Sequence, residues 1–275
     1  MDFLSHYDKY KRIAEDYFLK VFDETLCDGN LENAVRYSFF GGGKRVRPVL
    51  MLAVSEYLGV NFSKVLPYAL SLECVHIHSL IHDDLPPLDN DDFRRGLKSC
   101  HKAYGEACAL LAGDYLLNFA YFNGLRNFDE TRDATILSLL SDATAKMLDG
   151  QALDSAYLPG SDEKTVLYIY KNKTCALLTA CFTIPLALSD KNINVDFIDF
   201  AENFGLLFQI TDDIIDYSLK SNKKNNELNF VSEFGIERAL KLKLNLINKC
   251  YKTLDKLVDF EFLKLFVDFV AERCE

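Results

Sequence analysis

Two long apolar segments of this sequence each end in a group of aspartates. The first, residues 69–84, carries apolar side chains on nearly all sides and closes with Asp83 and Asp84. The second, residues 201–217, is equally apolar and closes with three further aspartates. A helix that is apolar on all its faces belongs at the centre of a domain. The sequence therefore predicts two central helices whose acidic ends need a reason other than packing.

The composition favours an all-α chain. Only six prolines occur in 275 residues, and none follows Pro185, which favours long helices over turn-rich sheet. Hydrophobic residues make up 49% of the chain, enough to bury a large core without disulfides, and the eight cysteines form no Cys-x-x-Cys pair. We predict a single all-α domain over residues 1–275 with reduced cysteines.

Charge and hydropathy argue against two classes of partner. The net charge of −10 is unfavourable for nucleic-acid binding, because proteins of that class carry a basic face that neutralises phosphates. No apolar run reaches the roughly 20 residues that a membrane span needs. The N-terminal residues also lack the basic-then-apolar pattern of a secretory signal. The sequence thus predicts a cytoplasmic protein that binds no nucleic acid and does not span a membrane.

The first acidic group surrounds a turn at Pro86-Pro87, with Asp83 and Asp84 before the turn and Asp89 after it. Two unit charges 4 Å apart repel by about 1 kcal/mol in water, but by about 4 kcal/mol at an effective dielectric constant near 20. Carboxylates gathered beside an apolar helix therefore favour bound cations. A group of this kind on its own would more often be a solvated acidic helix end, but a second group in the same chain weakens that alternative.

The second acidic group is Asp212, Asp213 and Asp216, whose spacing of i, i+1 and i+4 places the carboxylates toward one side of a helix. Gln209 lies one turn earlier on that side. The group offers only oxygen ligands, without histidine or cysteine. This chemistry suits Mg²⁺ that is shared between a few carboxylates and substrate phosphates.

Basic residues near the N-terminus provide the first candidate diphosphate ligands. Lys44 and Arg47 follow the glycines at 41–43 and are three residues apart, which at the start of a helix would put both on one face. An ammonium and a forked guanidinium can together hold one diphosphate. The alternative is an ordinary charged surface.

Two further segments carry candidate basic residues. Arg94-Arg95 directly follows the first aspartates, and Lys173-Thr174 is predicted to open an apolar helix that extends to Leu188. Neither pair is specific by itself, since a charge run on a surface is common. Their closeness in sequence to acidic groups and glycines favours a role in binding phosphate.

Taken together, these motifs resemble the trans-isoprenyl diphosphate synthases, most closely the bacterial farnesyl diphosphate synthases. The resemblance spans nearly the whole chain, and its marks are GGGKRVRP, ECVHIHSLIHDDLPPLDNDDFRRG, GEACALLAGDYLL, GQALD, KNKTCALL and FGLLFQITDDIID. It implies an all-α isoprenoid synthase fold, with helices around a deep central cavity and two facing aspartate-rich motifs. It also implies a homodimer.

The resemblance also implies roles for individual residues. Magnesium ions, three per site and replaceable by Mn²⁺, would be held by Asp83, Asp84, Asp89, Asp212, Asp213 and Asp216. The allylic diphosphate that they bridge would also be bound by Arg94 and Lys173. Isopentenyl diphosphate would be bound by Lys44, Arg47, His76 and Arg95. The side chains near the reacting carbons would be Thr174 and Gln209.

The implied reaction joins isopentenyl diphosphate to dimethylallyl or geranyl diphosphate, giving farnesyl diphosphate and free diphosphate. It proceeds by ionisation, condensation and elimination, with the departing charge stabilised by metals and cationic side chains. The released diphosphate is the expected base for the final proton. His82, next to the aspartates, is therefore expected to have a structural role.

The chain departs from the family after Asp216. The segment 217–230 is short, and Glu227 stands where a lysine is expected. Lys223 and Lys224 are candidates to replace the missing phosphate contacts. The C-terminal tail, which is often basic in relatives, offers only Arg273.

Product length is expected to depend on His78 and Ser79, five and four residues before Asp83. One helical turn rises about 5.4 Å, roughly one isoprene unit, so these residues can act as a floor for the growing chain. By resemblance, relatives that make farnesyl diphosphate often have tyrosine at the position of His78, whereas relatives that make the twenty-carbon product often have a smaller or more flexible residue. Histidine is intermediate, and we predict a fifteen-carbon product with some twenty-carbon product. The alternatives are a geranylgeranyl diphosphate synthase, a terpene cyclase and a catalytically silent partner subunit.

Overall fold

The computed structural model describes residues 2–25, 29–126, 133–189, 195–218, 228–257 and 260–273. Its helices are α1 (Phe3–Thr25), α2 (Asn30–Phe40), α3 (Val46–Leu58), α4 (Phe62–Asp83), α5 (Cys100–Tyr104), α6 (Glu106–Arg126), α7 (Asp133–Ser155), α8 (Glu163–Tyr170), α9 (Ala176–Leu188), α10 (Val195–Ser218), α11 (Phe230–Phe234), α12 (Ile236–Leu254) and α13 (Glu261–Glu272). A π-helical turn, Lys171–Cys175, joins α8 to α9. The strands β1 (Phe93–Arg94) and β2 (Leu97–Lys98) form an antiparallel hairpin. Apart from this hairpin, the described residues confirm the all-α prediction.

The contacts of the chain divide it into two compact units. One consists of residues 5–138 and 187–190, and the other of residues 1–4, 139–186 and 191–275. We call them the α4 unit and the α10 unit, after the apolar helix that each contains. Each unit therefore carries one of the two acidic groups.

Helix α4 is held in the α4 unit by apolar burial and by a few buried hydrogen bonds to α6. Its N-terminus is capped by Asn61, whose side chain accepts the backbone N–H of Ser63 at 2.9 Å. The hydroxyl of Ser71 donates to the carbonyl of Ala120 at 2.6 Å, and Asn123 donates to Ser71 Oγ at 3.1 Å. Partnered polar groups of this kind fix the register of two helices, because a shift would leave them buried and unpaired.

Helix α10 forms the core of the α10 unit against α12 and α13. On α10, the rings of Phe200 and Phe204 stack with their centroids 5.7 Å apart, and Phe204 meets Phe266 of α13 edge to face with centroids 5.5 Å apart. All three rings are fully buried. Among the described residues, no helix is long and apolar enough to cross a membrane.

Candidate active site

The first aspartate group, Asp83, Asp84 and Asp89, lies where α4 ends. The helix ends at Asp83, before the two prolines, as the sequence predicts. The chain then turns back, and the backbone N–H of Asp89 donates to the carbonyl of Asp83 at 2.9 Å. The turn therefore places two residues of the group side by side, although they are six positions apart in sequence.

Asp84 is buried and is bound by Arg94. The guanidinium Nε lies 2.9 Å from Asp84 Oδ1, and Nη2 bonds the same oxygen and also lies 3.5 Å from Asp91 Oδ2. Burial raises the pKa of Asp84, and the adjacent guanidinium opposes that rise. The structure thus brings together a predicted metal ligand and a predicted diphosphate ligand.

The β1–β2 hairpin directs the two neighbouring arginines to different targets. Its turn consists of Arg95 and Gly96, with φ values of 54° and 79°, as in the type I′ turns that favour tight hairpins. Arg94 on β1 meets Asp84, whereas Arg95 donates from Nη1 to the carbonyl of Gly42. Sequence reasoning did not predict the hairpin, because two-residue strands carry almost no periodic signal.

The predicted placement of Lys44 and Arg47 on one helix face is wrong. Helix α3 begins only at Val46, so the exposed Lys44 precedes the helix and Arg47 lies in its first turn. The cause is Arg45, which has φ 53° and a buried side chain. Its guanidinium bonds Glu73 Oε1 at 2.8 Å from Nη1 and the carbonyl of Phe39 at 2.6 Å from Nη2.

His76 lies in an electropositive part of the α4 unit. Burial lowers the pKa of His76 well below its usual value, and the charges of Arg47, Arg95, Arg45 and Arg94 lower it further. The ring is therefore neutral near pH 7, and the charges of four guanidinium groups act on it. The structure thus groups three of the residues predicted to bind isopentenyl diphosphate, in a chain whose net charge is −10. Concentrated positive charge of this kind favours a polyanionic ligand.

His78 and Ser79 occupy the predicted positions on α4. His78 is buried and its Nδ1 lies 3.1 Å from the carbonyl oxygen of Gly113. Ser79 is partly buried, and its hydroxyl donates to the carbonyl of His76 at 2.8 Å. Their effect on product length stays a prediction.

Asp213 is the buried centre of the second aspartate group, Asp212, Asp213 and Asp216. Its Oδ2 accepts the hydroxyl of Tyr170 at 2.5 Å and the backbone N–H of Phe230 at 2.8 Å, while its Oδ1 accepts Gln209 Nε2 at 2.9 Å. Burial raises the pKa of Asp213 to about 6, against the opposing effect of these three hydrogen bonds. Sequence reasoning did not identify Tyr170, although it directly precedes the KNKT motif.

Gln209 links Thr174 to the second aspartate group. The hydroxyl of Thr174 donates to Gln209 Oε1 at 2.7 Å, and the amide of Gln209 donates to Asp213. This continuous chain fixes the orientation of the Gln209 amide. The two side chains predicted to lie near the reacting carbons are therefore hydrogen-bonded to each other.

Lys173 does not open a helix, contrary to prediction. It lies in the π-helical turn, and its ammonium pairs with the carboxylate of Asp154 in the GQALD motif. Helix α7 approaches this turn so closely that a Cβ at Gly150 would lie 2.6 Å from the Lys173 Cα. A single π turn inside a helix is often found at a functional site.

Arg273 reaches the second aspartate group from beyond α13. Its Nη2 pairs with Asp212 Oδ1, and its guanidinium carbon lies 4.7 Å from the centre of the Phe208 ring. The side chain of Arg273 is 11% exposed. The one basic residue that the sequence offers in its tail is therefore in contact with a predicted metal ligand.

Part of the shortened segment after Asp216 lies outside the described residues, including Lys223, Lys224 and Glu227. The residues that follow are described. Asn229 caps α11 by accepting the N–H of Val231 at 2.9 Å, and its Nδ2 donates to the carbonyl of Asp213 at 3.0 Å. The end of this segment therefore supports the second aspartate group from its backbone side.

The two aspartate groups fit a hard cation in their donor chemistry, because their side chains offer only oxygen. Within the described ranges, no three acidic, histidine or cysteine side chains converge closely enough to hold a metal ion by themselves. Mg²⁺ keeps several waters and is usually completed by substrate phosphates, so it does not require three converging protein side chains.

Fold and sites together define an all-α protein with two aspartate groups and an arginine-rich region. The polyprenyl synthetase family profile matches residues 28–229, and the chain belongs to this family. It is 33% identical to the farnesyl diphosphate synthase of Micrococcus luteus over 93% of this chain and 96% of that protein. It is 35% identical to the geranylgeranyl diphosphate synthase of Cyanophora paradoxa over 86% of this chain and 85% of that protein. The crystal structure of a geranyltransferase from Legionella pneumophila matches with a TM-score of 0.91 and 28% identity, covering 98% of this chain and 97% of that one. The chain accordingly has the isoprenoid synthase fold.

Proposed function

We propose that this chain is a magnesium-dependent prenyltransferase that condenses isopentenyl diphosphate with dimethylallyl or geranyl diphosphate to give farnesyl diphosphate. The observation that carries the proposal is that Arg47 and Arg95, neither of them assigned to the allylic diphosphate, act by their charge on a neutral His76. A condensing enzyme needs a second anion-binding site, for isopentenyl diphosphate, apart from its metal-binding carboxylates. A terpene cyclase uses one diphosphate substrate and has no need of such a site.

The aspartate groups are assigned to the allylic diphosphate. Magnesium bound there would neutralise charge on the departing diphosphate as its C–O bond breaks. Arg94 and Lys173 add fixed positive charge, and each already pairs with a carboxylate, Asp84 and Asp154 respectively. An incoming diphosphate would take over these cations from their carboxylates. The protein residues thereby stabilise charge where it develops.

The Thr174–Gln209 pair is assigned to the reacting carbons. Gln209 is oriented by hydrogen bonds at both ends of its amide, to Thr174 and to Asp213. A fixed dipole costs no reorganisation when an allylic cation forms beside it. No side-chain base is required, because the released diphosphate can take the proton.

The test is incubation of the protein with labelled isopentenyl diphosphate and each allylic primer, with product length read by mass spectrometry. We expect fifteen-carbon product from both dimethylallyl and geranyl diphosphate. Twenty-carbon product alone would identify a geranylgeranyl diphosphate synthase, the activity named for the Cyanophora relative. Hydrocarbon formed from a primer without isopentenyl diphosphate would indicate a cyclase. No product under any condition would indicate a silent subunit.

Arg47→Lys is expected to raise the KM for isopentenyl diphosphate about tenfold or more. The substitution keeps the charge but removes the forked guanidinium, which can donate two hydrogen bonds to one phosphate. A hydrogen bond to a charged group contributes about 1.5–3 kcal/mol. The KM for the primer should change less than about twofold, since Arg47 is assigned to the other substrate.

The matched control is Arg36→Lys in the same unit, because Arg36 on α2 pairs with Glu32 of the same helix and with Asp23 of α1. It should leave both KM values unchanged. An equal rise for both substrates in Arg47→Lys would contradict a dedicated isopentenyl diphosphate site.

Arg273→Gln is expected to lower the Mg²⁺ concentration that gives half-maximal activity by about fivefold. The guanidinium paired with Asp212 is a cation that competes with the metal ion for this carboxylate. Loss of one such ion pair changes a binding free energy by about 1 kcal/mol. Arg238→Gln is the control, because Arg238 pairs with Glu163 at 2.7 Å in the same unit. An unchanged magnesium requirement in Arg273→Gln would show that the two cations do not compete.

The proposal keeps the homodimer, the three magnesium ions with Mn²⁺ as a substitute, and the cytoplasmic location as predictions. A mass measurement of the protein in solution tests the first. A metal titration of activity in the presence of a chelator tests the second.

A further inference from the structure

The ring of His78 makes a single hydrogen bond, to the neighbouring helix α6. The residue is 3% exposed, and its Nδ1 lies 3.1 Å from the carbonyl oxygen of Gly113 on α6. A carbonyl only accepts hydrogen bonds, so Nδ1 carries the proton. The other nitrogen, Nε2, is buried and has no hydrogen-bond partner among the described residues. Burial, followed by the neighbouring His82, lowers the pKa of His78 to about 4, so the ring is neutral near pH 7.

His82 packs against His78 from the next turn of α4. Their ring centroids are 4.4 Å apart with an angle of 64° between the planes, an edge-to-face arrangement. His82 is itself attached to α6, because its Nε2 lies 3.1 Å from the carbonyl oxygen of Leu110 and 3.7 Å from Asp114 Oδ1. One ring therefore braces the other against a neighbouring helix.

Gly113 makes room for the ring of His82. A Cβ built on Gly113 would overlap the Nε2 and Cδ2 atoms of that ring. The same residue provides the carbonyl that accepts the hydrogen bond from His78. Any side chain at position 113 would therefore displace His82 while leaving the backbone acceptor for His78 in place.

We propose that His82 is a positioning residue that holds the ring of His78 and thereby limits product length, and that Gly113 is the small residue that permits it. The inference rests on the proposed prenyl transfer, because it concerns the hydrocarbon that grows along α4 from the first aspartate group. A ring held from two sides presents a fixed floor. A ring held by one hydrogen bond can turn aside and admit a further isoprene unit.

Gly113→Ala tests the inference from a helix that carries none of the assigned metal ligands. We expect the ratio of twenty-carbon to fifteen-carbon product to rise about fivefold. This is the factor by which loss of one neutral hydrogen bond, here that of His82 to the carbonyl of Leu110, shifts an equilibrium. His78→Ala serves as the reference for an open floor. Gly124→Ala is the matched control on α6, since its Cβ would clash with the movable end of Leu137, 2.6 Å from Cδ2, and otherwise make ordinary contacts at 3.8 Å.

The control should keep the product ratio of the unmodified protein. A ratio in Gly113→Ala equal to that of the control would overturn the inference. Unmodified protein that forms no prenyl product from any primer would instead overturn the proposed function.

A double variant separates positioning by His82 from general disturbance of α6. His82→Ala should raise the product ratio as Gly113→Ala does. Gly113→Ala/His82→Ala should match His82→Ala alone, because the added methyl group then has no ring to displace. Product length is compared as a ratio, so a slower turnover does not affect it. Additive effects in the double variant, or a product ratio in His82→Ala equal to that of the unmodified protein, would refute the role of the His82 ring.

Discussion

Asp213→Asn and Asp84→Asn are each expected to reduce the rate of prenyl transfer by about three orders of magnitude or more. Each change removes a negative charge from a group proposed to hold magnesium, whose stabilisation of the departing diphosphate is worth several kcal/mol. Asparagine keeps the size of the side chain and an oxygen acceptor. The hydrogen bonds from Tyr170 and Phe230 to position 213 can therefore persist, which separates loss of charge from loss of folding.

Single-turnover assays with saturating substrates, together with circular dichroism, measure this effect. Asp199→Asn is the control, an exposed aspartate on the same helix as Asp213. Near-normal rates in either of the two site variants, or activity of the unmodified protein in excess chelator, would contradict the proposal that the two aspartate groups bind magnesium.

Arg45→Met is expected to lower the free energy of unfolding by about 3–5 kcal/mol. Arg45 and Glu73 are paired at 2.8 Å, and the side chain of each is only 2% exposed. Removing the guanidinium leaves a buried carboxylate without its main partner. Replacing both residues by apolar ones removes the charge problem, so Arg45→Met/Glu73→Leu should recover most of the lost stability.

Urea denaturation followed by circular dichroism tests this expectation. If Arg45→Met loses less than about 1 kcal/mol, or if the double variant is no more stable than the single one, the buried pair does not hold the segment before α3. The double variant also tests whether Arg45 positions Lys44 and Arg47, because the KM for isopentenyl diphosphate should rise even where stability is restored.

Sequence reasoning succeeded where a local pattern and its tertiary role coincide. The apolar runs of α4 and α10 and their acidic ends appear in the structure at the predicted places. Proline stops α4 by steric conflict with the preceding residue, and this needs no tertiary information. The contact between Gln209 and Asp213 likewise follows from helical spacing alone.

Sequence reasoning failed where a distant residue decides the local conformation. Lys173 lies in a π turn that packs closely against α7 at Gly150, a residue more than twenty positions earlier. Lys44 lies before α3 because Arg45 turns inward to Glu73. In both cases, a contact between segments that are far apart in sequence overrides the helical spacing on which the prediction rested.

The sequence by itself determined the class of fold, the two aspartate groups and the basic residues close to them in sequence, because these depend on composition, periodicity and short-range spacing. Only the tertiary structure decided which partner each group has. It paired Asp84 with Arg94, Asp213 with Tyr170 and Asp212 with Arg273. It also set the ring of His82 against Gly113. These choices depend on packing between helices, where the desolvation of a charge or the space for a single methyl group decides the outcome, and no local pattern encodes either quantity.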